Sequence, residues 1–127
     1  LSEPSQREQL IQKAAEDLRI AQGINPLNTD HTANLARLYS LWSAFSSDTQ
    51  QREEHAQTSS DYFSHAVILS PNNARIWDEW ALHFLSVQNH PEDAYPLLKN
   101  SLELDPTYDW TYGLLGDYYI QKLSGGS

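Results

Sequence analysis

Five histidines, His31, His55, His65, His83 and His90, have the widest chemical reach in this 127-residue chain, because an imidazole serves as metal ligand, general acid or general base. Their spacing gives none of these roles a setting. No HExxH, no HxH and no i,i+4 pair occurs, so no helical face turns two imidazoles toward one ion. His31 and His90 read instead as helix-boundary residues, the latter directly before Pro91. Glu53, Glu54 and Asp61 stand near His55 in sequence, and a solvated helix face accounts for them. Carboxylates pair as "EE", "ED" and "DE", but neighbours on a helix point about 100° apart and share a proton poorly. No G-x-S-x-G, phosphate-cradling glycine loop or nucleophile with a matching base appears. Cysteine is absent, which removes disulfides, thiol nucleophiles and thiolate metal sites. The expectation is a chain without catalytic residues, cofactor or metal, and not an enzyme.

The side chains that remain must work by position, so the elements that hold them matter more than their chemistry. An apolar content of 39% with 11% aromatics is that of one folded domain with a real core. No run approaches the roughly 18 consecutive apolar residues of a membrane span, and "LSEPSQREQL" has neither the basic start nor the apolar core of a signal peptide. A soluble domain that does not insert into a membrane is expected. Its 17 acidic against 8 basic residues, a formal charge of -9, would repel phosphate backbones and anionic membranes, which argues against nucleic acid as a partner. The missing initiator methionine and the closing "SGGS" read as marks of a fragment from a longer protein.

Three prolines mark a repeat. "GINPLN" at Pro26, "ILSPNN" at Pro71 and "ELDPTY" at Pro106 each close one helical stretch and open another, at spacings of 45 and 35 residues. Counting back from each proline, a small-large-small ladder recurs at identical offsets: Ala14, Leu18, Ala21; Ser59, Phe63, Ala66; Ala94, Leu98, Ser101. Counting forward, a second ladder recurs: Thr32, Leu35, Ala36, Tyr39; Trp77, Trp80, Ala81, Phe84; Tyr112, Leu115, Gly116, Tyr119. Steps of three and four put each ladder on one helical face, with a small residue where a partner helix must come close. Gly116 thus takes the place of Ala36 and Ala81, and close contact with a neighbouring helix is expected to offset its helix-propensity cost of about 1 kcal/mol. Trp77 and Trp80, as ladder residues, are expected in the core, and Trp42 and Phe45 against the third helix.

Together the ladders resemble the tetratricopeptide repeat, W-x2-L-G-x2-Y, then A-x3-F, then P, over roughly residues 10 to 121. "Y-x2-LG-x2-Y" at 112 to 119 is the strongest match. The resemblance implies an all-α fold, a right-handed helical solenoid segment of about six antiparallel helices. Helices are expected at about 5 to 22, 30 to 46, 49 to 69, 74 to 87, 91 to 104 and 108 to 123, with a capping box at Ser5 and Glu8. Residues 1-127 then form one domain: a half repeat at 5-28, an extended repeat at 29-73, a repeat at 74-108 and a half repeat at 109-123. Two departures stand out. Tyr39 to Ser59 is 20 residues where Phe84 to Ala94 is 10, so the middle hairpin is elongated around a turn near Ser46 to Asp48, by about a turn and a half on each helix. Thr32 replaces the aromatic at the first ladder position, which predicts looser packing at that helix start.

The same resemblance implies a concave groove lined by the first helix of each repeat. Carried onto this chain, its positions are Asp30, Ala33, Arg37; Arg75, Asp78, Leu82; and Trp110, Gly113, Asp117. Arg37, Arg75, Asp78, Leu82, Trp110 and Asp117 are the candidate peptide-binding residues. Relatives that clamp acidic chaperone tails use Lys and Asn at such positions; that basic set is missing here, and Asp78 and Asp117 would repel a carboxylate. A protein or peptide ligand of mixed or basic character fits better. Trp110 lies one step off the ladder and is either a binding hot spot or a cover over Pro106 or a neighbouring helix. A second resemblance, over "INPLNTDHTANLARLYSLW", is to the join between membrane domain and repeats in bacterial O-antigen ligase-like glycan polymerases and transferases. It implies a non-catalytic accessory domain outside the cytoplasmic membrane. On either reading the last helix turns Leu115, Tyr119 and Leu123 toward a helix the sequence does not supply, so self-association through the C-terminal helix or a continuing array is expected.

Overall fold

A computed structural model describes residues 5-125, and among these every regular element is an α-helix. The order is α1 (Gln6–Ile24), α2 (Thr29–Phe45), α3 (Thr49–Leu69), α4 (Ala74–Ser86), α5 (Pro91–Leu104) and α6 (Asp109–Gly125). Each proline occupies a tight turn of one pattern: Asn28 N–H donates to Asn25 O at 3.2 Å, Asn73 N–H to Ser70 O at 3.3 Å, and Tyr108 N–H to Asp105 O at 3.2 Å. Side chains then satisfy the orphan donors of the next helix, Asn28 accepting from Asp30 N–H and Asn73 from Arg75 N–H. α5 starts differently, with His90 as an N-cap whose side chain makes no capping hydrogen bond and Pro91 in the first turn. Only half of the expected capping box forms: Ser5 accepts from Glu8 N–H at 3.1 Å, while the Glu8 carboxylate accepts from Trp42 Nε1–H at 3.1 Å. None of these helices is long and apolar enough to cross a membrane.

The chain divides into two compact units, Leu1–Leu69 and Ser70–Ser127. In the first, α2 and α3 form a hairpin joined by the short turn at Ser46–Asp48. The elongation is real but unequal: α2 has 17 residues to α4's 13, and α3 has 21 to α5's 14, so α3 takes about two extra turns and α2 about one. Small residues let the hairpin close. Ser59 Oγ donates to Ala36 O at 2.6 Å, and Ser43 Oγ to Arg52 O at 2.7 Å. Phe63 and Leu35 fill the space beside them, each burial contributing about 1.5 to 3 kcal/mol. Thr32 is fully buried and accepts from Gln22 Nε2–H at 3.1 Å, so that helix start is tight rather than loose. A short hydroxyl paired with α1 fills the place of the expected ring. Trp42 does stack on His55 of α3, with centroids 4.1 Å apart, whereas Phe45 is half exposed and lies under the Arg7 guanidinium of α1 at 4.1 Å.

In the second unit, Ala81 and Leu85 of α4 pack on Ala94 and Leu98 of α5 and Leu114 of α6. Asn89 closes the α4–α5 connection in the left-handed region at φ 55°, a conformation Asn tolerates better than most residues. Trp77 and Trp80 are half-buried rather than core; they run in a stack with Phe84 along α4. Their register position explains Trp77: its Nε1–H donates to Pro71 O at 2.8 Å, and Tyr112 Oη, at the same offset, donates to Pro106 O at 2.8 Å. The first forward-ladder aromatic therefore ties each helix to the turn before it.

The small ladder position behaves differently in the three helices that carry it. Ala36 and Ala81 are fully buried, but Gly116 is exposed, and a Cβ built on it would meet nothing within 4 Å. The expectation of close helix contact at Gly116 is thus overturned. Ala36 and Ala81 are covered by the helix that follows theirs, and none of the described helices follows α6. Gly116→Ala should therefore raise stability by about 1 kcal/mol through helix propensity alone. Ala81→Leu should lower it by about 1 to 3 kcal/mol through overpacking. Urea unfolding of both variants checks this, and a destabilised Gly116→Ala would expose an unseen contact.

Candidate functional site

The six candidate groove residues separate on inspection. Arg37 is half-buried on α2 and donates from Nη1 to Asn34 Oδ1 at 2.8 Å, a bond within its own helix. Arg75 is exposed on α4 and pairs with Glu79 at 3.5 Å. Leu82 and Asp117 are exposed, on α4 and α6 respectively. Trp110 is half-buried: it packs on the core of the second unit and meets Tyr108 edge to face at 6.2 Å, so covering a neighbouring helix is its structural role.

Asp78 faces no open groove. It is fully buried, accepts from Thr111 Oγ1–H at 2.6 Å through Oδ2, and leaves Oδ1 without a hydrogen bond among the described residues. Thr111 Oγ1 also lies 3.2 Å from Ser101 Oγ, and Ser101 Oγ lies 3.2 Å from Ala74 O, so one polar network joins α4, α5 and α6. Loss of water around the carboxylate pushes the Asp78 pKa above its ordinary value; the Thr111 and Ser101 hydroxyls oppose that shift and Glu79 adds to it. The equivalents of Asp78 in the other two repeats are Ala33 and Gly113. Ala33 is buried like Asp78, whereas Gly113 is exposed with nothing within 4 Å of a built Cβ.

The Asp78–Thr111 bond sets α4 beside α6, and this brings part of the candidate set together. Arg75 and Leu82 lie one turn either side of Asp78 on the same flank of α4. Trp110, Gly113 and Asp117 form the matching stripe of α6. Beside Arg75 a polar hollow of about 490 Å³ is lined by Asn72, Asn73, Asp105 and Tyr108, none of which the register argument selects. Burial raises the Tyr108 phenol, as do the nearby Asp78, Glu79 and Asp109 carboxylates, while Arg75 lowers it.

The first unit holds a separate aromatic cluster that sequence reading also missed. Tyr39 lies within 6 Å, centroid to centroid, of Trp42, His55 and Tyr62, and its hydroxyl accepts from Arg19 Nη1–H at 2.6 Å. Desolvation lowers the His55 pKa, with Glu8 and Glu54 pulling the other way. A neutral imidazole stacked on Trp42 suits this packed position. Among the described residues no three His, Asp or Glu side chains gather closely enough to hold a metal ion. The exposed groups offer hydrogen bonding, charge and apolar area to a ligand.

No protein-family model matches the chain, and no curated protein matches it.

The Asp78 network yields a pH prediction. Its folded-state pKa lies above the unfolded value, so its protonated form is favoured by folding, and stability is lost as pH rises through the folded pKa. Asp78→Asn keeps an acceptor for Thr111 and removes the charge. It should be more stable than the parent at pH 7, with the difference shrinking toward pH 4. Thermal melts across that range read this directly, and a variant less stable at pH 7 would show that the ionised carboxylate is favourable.

Proposed function

We propose that the chain is a protein-interaction module, a tetratricopeptide-like right-handed solenoid segment that binds a peptide or a neighbouring domain and carries no catalysis of its own. The observation that carries this reading is the shared flank of α4 and α6, where Arg75, Leu82 and Asp117 are exposed on helices held side by side by the Asp78–Thr111 bond. Rigid elements presenting both signs of charge and an apolar anchor suit recognition of an extended segment. The repeated ladders support the solenoid reading, because the same offsets recur in both buried hairpins. The formal charge of -9 favours ligands with basic residues through long-range attraction.

A displayed library of random peptides tests the reading. Selection on the chain should enrich sequences combining basic and apolar residues, and Asp117→Lys with Leu82→Glu should weaken the enriched peptides at least tenfold while leaving the melting temperature within a few degrees. Enrichment of nothing, or of peptides indifferent to both substitutions, contradicts it.

A further inference from the structure

We propose that the chain associates with a second copy of itself head to tail, the open face of α6 in one copy seating in an apolar groove between α1 and α2 of the next. That groove, of about 410 Å³, belongs to the first unit and is lined by Arg7, Leu10, Ala14, Leu38, Leu41 and Phe45. Leu10 is 66% exposed, Leu41 46% and Phe45 48%. The open face of α6 carries Tyr112, Gly116, Tyr119, Ile120 and Leu123, and Leu123 is 84% exposed.

The second unit shows what such faces do when they meet. There α4 seats Ala81 and Leu85 against α5 and α6, on Ala94, Leu98 and Leu114, with Tyr118 packed alongside. By offset from the bounding proline, Gly116 and Ile120 occupy on α6 the positions of Ala81 and Leu85 on α4. Ala14 and Leu18 occupy on α1 those of Ala94 and Leu98, and Leu38 on α2 that of Tyr118, while the exposed Asn34 stands where α6 has Leu114. Leu85 is 6% exposed where Ile120 is 63% exposed. Knob and cradle are thus both present in one chain, and each is open. A helix that repeats α4 is displayed at one place, and a pair of helices that repeats its seat at another.

Charge agrees with the fit. Antiparallel docking in the α4–α5 register sets Gly116 beside Ala14 and the last turn of α6 beside the first turn of α1. The carbonyl end of a helix carries partial negative charge, and the group it would meet is the Arg7 guanidinium, held over Phe45. The two faces together would bury on the order of 1,000 Å², at the lower edge of specific interfaces, so the association should be weak and concentration-dependent. Knob and seat are different surfaces, so the contact is heterologous, and each copy brings one of each to the assembly. The contact uses the face of α6 next to the stripe proposed for peptide binding, with Ile120 three residues from Asp117 at their border, and the seat variant on α2 keeps its test independent of that reading.

Sedimentation of the intact chain tests this. The weight-average mass should climb above that of one chain as concentration rises. Ile120→Glu, which blocks the knob, and Leu41→Glu, which blocks the seat, should each be monomeric where the parent associates; circular dichroism melts confirm that both fold. An equimolar mixture of the two variants retains one intact knob and one intact seat, and it should form a dimer and nothing larger. The proposal is overturned if the parent is monomeric at its highest soluble concentration. It is equally overturned if Leu41→Glu still self-associates, which would mark an α6-to-α6 contact, or if mixing restores no dimer.

Discussion

The approach of two helix backbones at a small residue is the constraint on which both units depend. In the α2–α3 hairpin the Ser59 hydroxyl reaches the Ala36 carbonyl directly, a contact possible only because neither residue holds the helices apart. In the second unit Ala81 and Ala94 stand at the same offsets and share one core with Leu98. Large side chains then fill the space on either side. Interiors pack at crystal-like density, so a methylene added at the narrow point has nowhere to go. Ladder burial follows partner availability: complete in α3 and α5, partial in α1, and lost at Tyr112, Gly116 and Tyr119 of α6.

A second constraint works against the first. Asp78 is taken out of water with one oxygen bonded and the other without a hydrogen bond among the described residues, and burial penalises its charge. Its return is positional: α4 is fixed against α6 through Thr111, and through Ser101 to the start of α4. The exposed residues on that flank, Arg75 and Leu82, therefore stand on a braced helix pair. Specificity of placement, rather than stability, is what this network supplies to the exposed flank.

Much of the fold was legible because the repeat encodes it three times. Helix limits fell within about two residues of those read from proline turns, caps and ladder spacing, the usual margin for helix ends. What escaped was the environment of individual side chains. Asp78 reads as groove-facing when positions are counted along one helix, whereas its burial comes from a neighbouring helix, through Thr111, 33 residues away. Gly116 reads as a tight contact because the ladder specifies which face is adhesive, not whether anything covers it. Trp77 reads as core because it stands on the ladder, yet its N–H is bound to the Pro71 carbonyl, which keeps it at the surface.

Amide hydrogen exchange at a dilution where the chain is monomeric tests the central claim, that the small-residue contacts hold each unit. The slowest amides should lie around Leu35–Ala36 and Ser59–Phe63 in the first unit, and around Ala81–Leu85 and Ala94–Leu98 in the second, because these open only with the whole unit. Gly116 to Leu123 of α6 should exchange markedly faster. Equal protection at Gly116 and Ala81, or fast exchange at Ala36 and Ser59, would contradict the account.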